Sequence, residues 1–130
     1  MTLYRDLLPE TYAAGEKNDC SVKALAIAAN MPYRQAHEIM RKFGRKNRRG
    51  AFNFQILAAM RAVGLNLENI SNHISNFSTV NRFEQFHGNI KGTFVIFVHN
   101  HVLVWKNGKT EDWSAHSRKR IQMVYYVHND

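Results

Sequence analysis

Residues 93–113 read Thr93-Phe94-Val95-Ile96-Phe97-Val98-His99-Asn100-His101-Val102-Leu103-Val104-Trp105-Lys106-Asn107-Gly108-Lys109-Thr110-Glu111-Asp112-Trp113, and this stretch decides the fold. β-Branched and aromatic side chains dominate 93–98 and 102–105, which suits strands. Asn107-Gly108 is a strong hairpin signal, because both residues tolerate the positive φ that a tight turn needs. The chain therefore folds back after Lys106, and residues 110–113 pair with the strand before them. Residues 121–127 have the same character. An antiparallel sheet is expected from 93–98, 102–105, 110–113 and 121–127.

Upstream of the sheet the pattern is helical. After an N-terminal arm, Asn18 and Asp19 supply capping chemistry ahead of Ser21-Val22-Lys23-Ala24-Leu25-Ala26-Ile27-Ala28-Ala29, an Ala-rich run with high helix propensity. Cys20 falls in the first turn of that helix. Asn30-Met31 breaks it, and Pro32 in a first-turn position opens a second helix through Phe43, with Tyr33, Ala36, Ile39, Met40 and Phe43 on one face. The two helices are expected to pack as a pair. Gly44 ends the second, and Arg45-Lys46-Asn47-Arg48-Arg49 follows as a basic loop closed by Gly50. A third helix is expected from about 53 to 63, since Phe52, Ile56, Ala59, Met60 and Val63 recur at helical spacing before Gly64. Residues 65–77 are ambiguous. Ser78 or Thr79 caps a short helix through Phe83 and Phe86 that ends near Gly88. Helices first and an antiparallel sheet second predict an α+β fold, with N-terminal helices packed on a C-terminal antiparallel sheet in a single domain, residues 1–130.

The bulk properties agree. A chain of 130 residues with 45% hydrophobic residues suffices for one core, and its two Pro and seven Gly leave little room for a linker. No apolar run approaches the roughly 20 residues that span a bilayer, so no membrane partner is expected. Arg5, Asp6 and Glu10 stand where a secretory leader would be apolar, and the single cysteine forms no internal disulfide. The cytoplasm is the expected compartment. A formal net charge of +8 favours an acidic partner such as nucleic acid, an anionic protein surface or a phosphorylated ligand.

A helix start favours negative charge, so a thiol there is held more readily as thiolate. Cys20 has that position. The Asp19 carboxylate works against it unless it turns away, and an imidazole must stand nearby. A small buried cysteine without chemistry is the alternative. His37, His73, His87, His116 and His128 look ordinary, whereas His99 and His101 lie between two apolar strands. With a two-residue turn, Lys106 pairs with Lys109, and Val102 or Leu103 faces Asp112 or Trp113. Asp112 then lies about one residue from His101, close enough to orient its ring.

Asn18-Asp19-Cys20-Ser21-Val22-Lys23-Ala24-Leu25-Ala26, the loop 44–50 and the run from His101 to Asp112 together resemble the papain-like cysteine hydrolase superfamily, specifically its small single-domain members in phages and bacteria. The resemblance implies a papain-like proteinase fold with Cys20 as nucleophile, His101 as general base, Asp112 as orienting acid and the Cys20 backbone N–H in an oxyanion hole. Many members complete that hole with a glutamine before the cysteine. Here Ala13-Ala14-Gly15-Glu16-Lys17 has none, and Asn18 is the nearest amide. A phage-encoded protein would work in the host cytoplasm.

Other constellations lead elsewhere. His99-Asn100-His101 spells the name of a nuclease motif only by coincidence of letters. Two metal ligands from one strand face would need His99 and His101 to point the same way, and no cysteine or carboxylate stands at ligand spacing. No metal or other cofactor is expected. Arg45, Lys46, Arg48 and Arg49 are the candidate substrate-binding residues, suited to phosphate or carboxylate, and Arg118-Lys119-Arg120 is a second basic cluster. Two function classes follow. One is a cysteine hydrolase or acyl-transfer enzyme acting on a peptide or other acyl substrate. The other is an inactive basic binding protein that contacts nucleic acid or an acidic host protein through the loop 44–50.

Overall fold

The computed structural model describes residues 1–72, 78–88 and 91–128. The class is α+β, and the chain divides into two compact units, Met1–Leu65 and Asn66–Asp130.

The first unit is helical: α1 (Tyr4–Ala13), α2 (Cys20–Ala29), α3 (Tyr33–Lys42) and α4 (Asn53–Ala62). Helix α1 occupies what the sequence suggested was an arm. Pro9 lies inside it and removes one helical donor, but Asp6 ties the start by accepting from the Leu3 N–H at 3.1 Å, and Leu7 and Thr11, one turn apart, are buried. Packing outweighs propensity there. Helix α2 is buried nearly all round, from Ser21 and Val22 through Ala28, and ends on Asn30 in the left-handed region at φ 55°. Helix α3 buries Tyr33, Ala36 and Met40, and Pro32 is its N-cap rather than its first residue. Helix α4 buries Ile56, Leu57, Ala59 and Met60. Phe52, expected on that face, precedes the helix as its N-cap and is 69% exposed.

Gly44 is one position where glycine is required. Its φ is 104°, and a Cβ there would stand 2.5 Å from Gln55 Nε2. Gln55 is not free to retreat, because its Oε1 accepts from the Phe52 N–H at 2.8 Å across the first turn of α4.

The second unit is a five-stranded antiparallel sheet in the order β1-β5-β2-β3-β4, with α5 (Val80–His87). Its strands are β1 (Asn66–Asn69), β2 (Thr93–Val98), β3 (His101–Lys106), β4 (Lys109–Glu111) and β5 (Ile121–His128). The ambiguous stretch supplies the edge strand β1, paired Leu67 to Val127, while His73 and the rest of 73–77 lie outside the described residues. The third expected strand, 110–113, is shorter, ending at Glu111 as β4. Lys106 pairs with Lys109 across Asn107 (φ 52°) and Gly108 (φ 85°), so both turn residues adopt the positive φ expected of them. Thr79 caps α5, its hydroxyl accepting from the Arg82 N–H at 3.1 Å. Phe83 of α5 packs on Phe94 and Trp105 in a buried cluster that includes Ile96 and Leu103.

His87 is buried beside this cluster, its ring 4.0 Å from that of Phe83 and 4.9 Å from that of Phe94. Burial lowers its pKa below 6.5. A folded state that resists protonation keeps this stability above about pH 6.5 and loses it as pH falls below that value. The thermal midpoint of the protein is therefore expected to drop on acidification from 6.5 toward 5. His87→Phe, which keeps a ring in place, should remove that part of the drop. Parallel parent and variant curves across that range would contradict the assignment.

Candidate functional site

Cys20 opens α2, is partly exposed and forms no disulfide. Asp19 occupies the N-cap position, but its side chain makes no capping bond. Its carboxylate is instead drawn inward. Oδ2 accepts from Tyr33 Oη at 2.7 Å and from Thr11 Oγ1 at 2.9 Å, and Oδ1 pairs with Lys23 Nζ at 3.2 Å. The expected cap is thus corrected. The reason is competition: buried hydroxyls and an ammonium satisfy a desolvated carboxylate better than first-turn N–H groups do. Burial, and next the bond to Asp19, push the Tyr33 hydroxyl well above its ordinary range, so it remains a donor. This arrangement meets the condition set for Asp19, since its charge is committed to Lys23, Tyr33 and Thr11.

His101 begins β3, directly after the His99-Asn100 turn that Val98 and His101 close. Continuing the β3–β4 register one residue past Val104–Glu111 puts Asp112 opposite Leu103 and diagonal to His101. The side chains meet: His101 Nε2 lies 2.7 Å from Asp112 Oδ2, with only 10% and 5% of the two side chains exposed. The same Oδ2 accepts from the Ser114 N–H at 3.0 Å and from Ser114 Oγ at 2.6 Å. Trp113, 60% exposed, sets its ring 5.0 Å from that of His101, and Lys119 Nζ stands 5.3 Å from the Trp113 ring.

The turn that carries Asp112 is pinned from α5. Glu84 accepts from the His116 N–H at 3.0 Å and from Thr110 Oγ1 at 2.5 Å, and pairs with His116 Nδ1 at 3.0 Å. Neither Glu84 nor Ser114 was singled out from the sequence. The Asp-Trp-Ser spacing is a signal for Ser114, because an Asp carboxylate readily accepts from the backbone N–H two residues on. Glu84 has no local signal, since its partners are about thirty residues away.

His99 lies in the turn and accepts from Asn100 Nδ2 at 3.2 Å, while His101 is on the strand and bonded to Asp112. They do not form a pair of ligands on one face.

The basic loop is built on Glu16. Arg45 donates to both carboxylate oxygens, at 3.0 and 3.1 Å, His37 Nε2 meets Oε2 at 2.5 Å, and the Arg48 N–H donates to Oε1 at 2.8 Å. The Glu16 side chain is 2% exposed and that of Arg45 1%. Burial alone would raise the Glu16 carboxyl, but the hydrogen bonds from Arg45, His37 and Arg48 and the Arg45 charge outweigh it and hold it at about 2. Arg45 is therefore a buried cation whose charge is paired with Glu16. Lys46, Arg48 and Arg49 are exposed. Asn18, at φ 52°, donates through Nδ2 to the Arg48 carbonyl at 3.3 Å, so its amide ties the loop to the start of α2.

Among the described residues no helix is long and apolar enough to cross a membrane. Compared with family models, curated proteins and solved structures, the chain matches none.

Proposed function

We propose that the protein is a cysteine-dependent hydrolase or acyl-transfer enzyme with Cys20 as nucleophile, His101 as general base and Asp112 as the group that orients it. The observation that carries this reading is the 2.7 Å bond between His101 Nε2 and Asp112 Oδ2, withdrawn from solvent and braced by Ser114. A carboxylate only accepts, so Nε2 holds a proton, and when the ring is neutral the lone pair lies on Nδ1. That is the tautomer a base requires. Nδ1 takes the thiol proton, and Asp112 stabilises the imidazolium that results.

In the reaction, Cys20 Sγ bonds to an acyl carbonyl carbon and the carbonyl π pair moves to oxygen. First-turn N–H groups of α2, the Cys20 N–H among them, face that oxyanion in this reading, with Asn18 as the side-chain amide nearby. Collapse expels an amine or alcohol, which leaves with the proton from His101. Water, deprotonated by His101, then cleaves the thioester and restores the thiol; an amine in its place gives acyl transfer. A papain-like arrangement is part of this proposal, supported by the order of nucleophile, base and acid along the chain. Lys46, Arg48 and Arg49 favour an acidic acyl substrate.

The test is acylation by an activated ester of a short acidic peptide near neutral pH. A mass adduct is expected on Cys20, formed faster than on a free low-molecular-weight thiol and absent from Cys20→Ser. Acylation no faster than the free thiol would overturn the reading. The binding reading is favoured by a different observation, the groove described next.

A further inference from the structure

The basic loop walls a groove of about 880 Å³ within the first unit. Lys17, Lys46, Arg48 and Arg49 line it together with Phe52, and no Asp or Glu is among its lining residues. Glu16, the carboxylate that touches the loop, is committed to Arg45, His37 and the Arg48 N–H. It neutralises buried charge and, among the described residues, leaves Lys17, Lys46, Arg48 and Arg49 without an ion pair. A concentration of cations without counter-charge attracts a polyanion.

Phe52 and Phe54 add a second, independent feature. They are 69% and 70% exposed, and their rings lie 5.8 Å apart at an interplanar angle of only 7°. The packing of α4 does not require them, since that helix buries Ile56, Leu57, Ala59 and Met60. A flat aromatic pair held in water beside a cationic groove matches one polyanion better than others. Single-stranded nucleic acid offers both phosphates and unstacked base faces. An acidic peptide supplies charge without a π face, and a duplex hides its base faces within the stack.

We propose that this groove binds single-stranded nucleic acid, with phosphates on Lys17, Lys46, Arg48 and Arg49 and a base stacked on the Phe52–Phe54 pair. The groove shares Lys46, Arg48 and Arg49 with the acyl substrate of the hydrolase reading but does not use Cys20.

The experiment is fluorescence anisotropy of the full chain with a labelled oligothymidylate of about 12 nucleotides, across a salt series. Log affinity should fall linearly with log salt, and Lys46→Gln with Arg49→Gln should flatten the slope by about 0.7 for each charge removed. Phe52→Leu should weaken binding about 5- to 100-fold at fixed salt and leave the slope unchanged. Phe52→Tyr should restore affinity by keeping a ring. Cys20→Ser should bind like the parent, so loss of the acylation chemistry does not disturb this result. Absence of salt-dependent binding, parent affinity in Phe52→Leu at an unchanged thermal midpoint, or equal competition by a duplex or a poly-glutamate peptide would each overturn the proposal.

Discussion

Glu16→Gln is expected to destabilise the first unit by about 3–5 kcal/mol, the usual cost of removing one partner from a buried ion pair. The Arg45 guanidinium, 1% exposed, has no solvent to turn to once its carboxylate is gone. A glutamine oxygen accepts a hydrogen bond but carries no charge, and its N–H₂ group meets further donors in Arg45, His37 and the Arg48 N–H. The loop should loosen with the core, because Arg48 is tied to Glu16 and Asn18 is tied to Arg48. The pH dependence has a definite sign. Glu16 is held at about 2 against an ordinary 4.5, so its stabilisation is complete above about pH 4.5 and lost as pH falls from there through 2. Urea unfolding at pH 7 and pH 3 checks both points. The variant should be much weaker at pH 7, and the gap to the parent should narrow at pH 3. Replacing both partners, Glu16→Leu with Arg45→Met, should recover part of the loss, since no buried guanidinium is then left unpaired. A Glu16→Gln variant as stable as the parent at pH 7 would contradict the network.

Asp112→Asn is expected to slow acylation of Cys20 by up to about 10⁴-fold, the scale seen when an orienting carboxylate becomes an amide. The amide is nearly isosteric, but a single atom, Oδ2, meets both His101 and Ser114. An N–H₂ group at that position presents a donor to His101 Nε2, which then offers a lone pair and leaves the proton on Nδ1, at the cost of the bond from the Ser114 N–H. An amide oxygen there keeps the tautomer but no longer carries the charge that stabilises the imidazolium. Either way the base is weakened without being moved. His101→Ala removes it outright and should cost about 10²- to 10⁴-fold. Acylation rate and thermal midpoint, measured together, separate this from a structural role. Fold damage would lower both, whereas tautomer control lowers the rate far more than the midpoint.

The hairpin was the most legible part of the fold because its signals are local. Asn107-Gly108 set the turn, and the turn set the Lys106–Lys109 register that carries Asp112 to His101. Helix α1 was hidden by Pro9, whose cost is offset by burial of Leu7 and Thr11, contacts that no local pattern announces. Strand β1 was hidden for the opposite reason. It is a polar edge strand, Asn66-Leu67-Glu68-Asn69, mostly exposed and held by backbone pairing to β5, so it lacks the alternation that marks a half-buried strand.

The site divides along the same line. Cys20 at a helix start and the His101–Asp112 pairing follow from neighbouring residues or a tight turn. Asp19 read as a cap because capping is the local option, and its burial against Tyr33 and Thr11 is a tertiary outcome. Arg45 read like Arg48 and Arg49, for a basic run does not reveal which member meets a buried carboxylate. Phe52 satisfied the helical spacing of α4 yet stands one residue before the helix, where the spacing rule no longer fixes its direction.

The most direct measurement of the central claim is the rate of Cys20 alkylation by iodoacetamide as a function of pH, in the parent, His101→Ala and Asp112→Asn. If His101, oriented by Asp112, takes the proton of Cys20, the parent should react well below the pH at which a free thiol does, near 8.5. Both variants should then shift toward the free-thiol profile at nearly unchanged thermal midpoints. A parent profile that coincides with that of a free thiol, and that neither substitution moves, would contradict the proposed function.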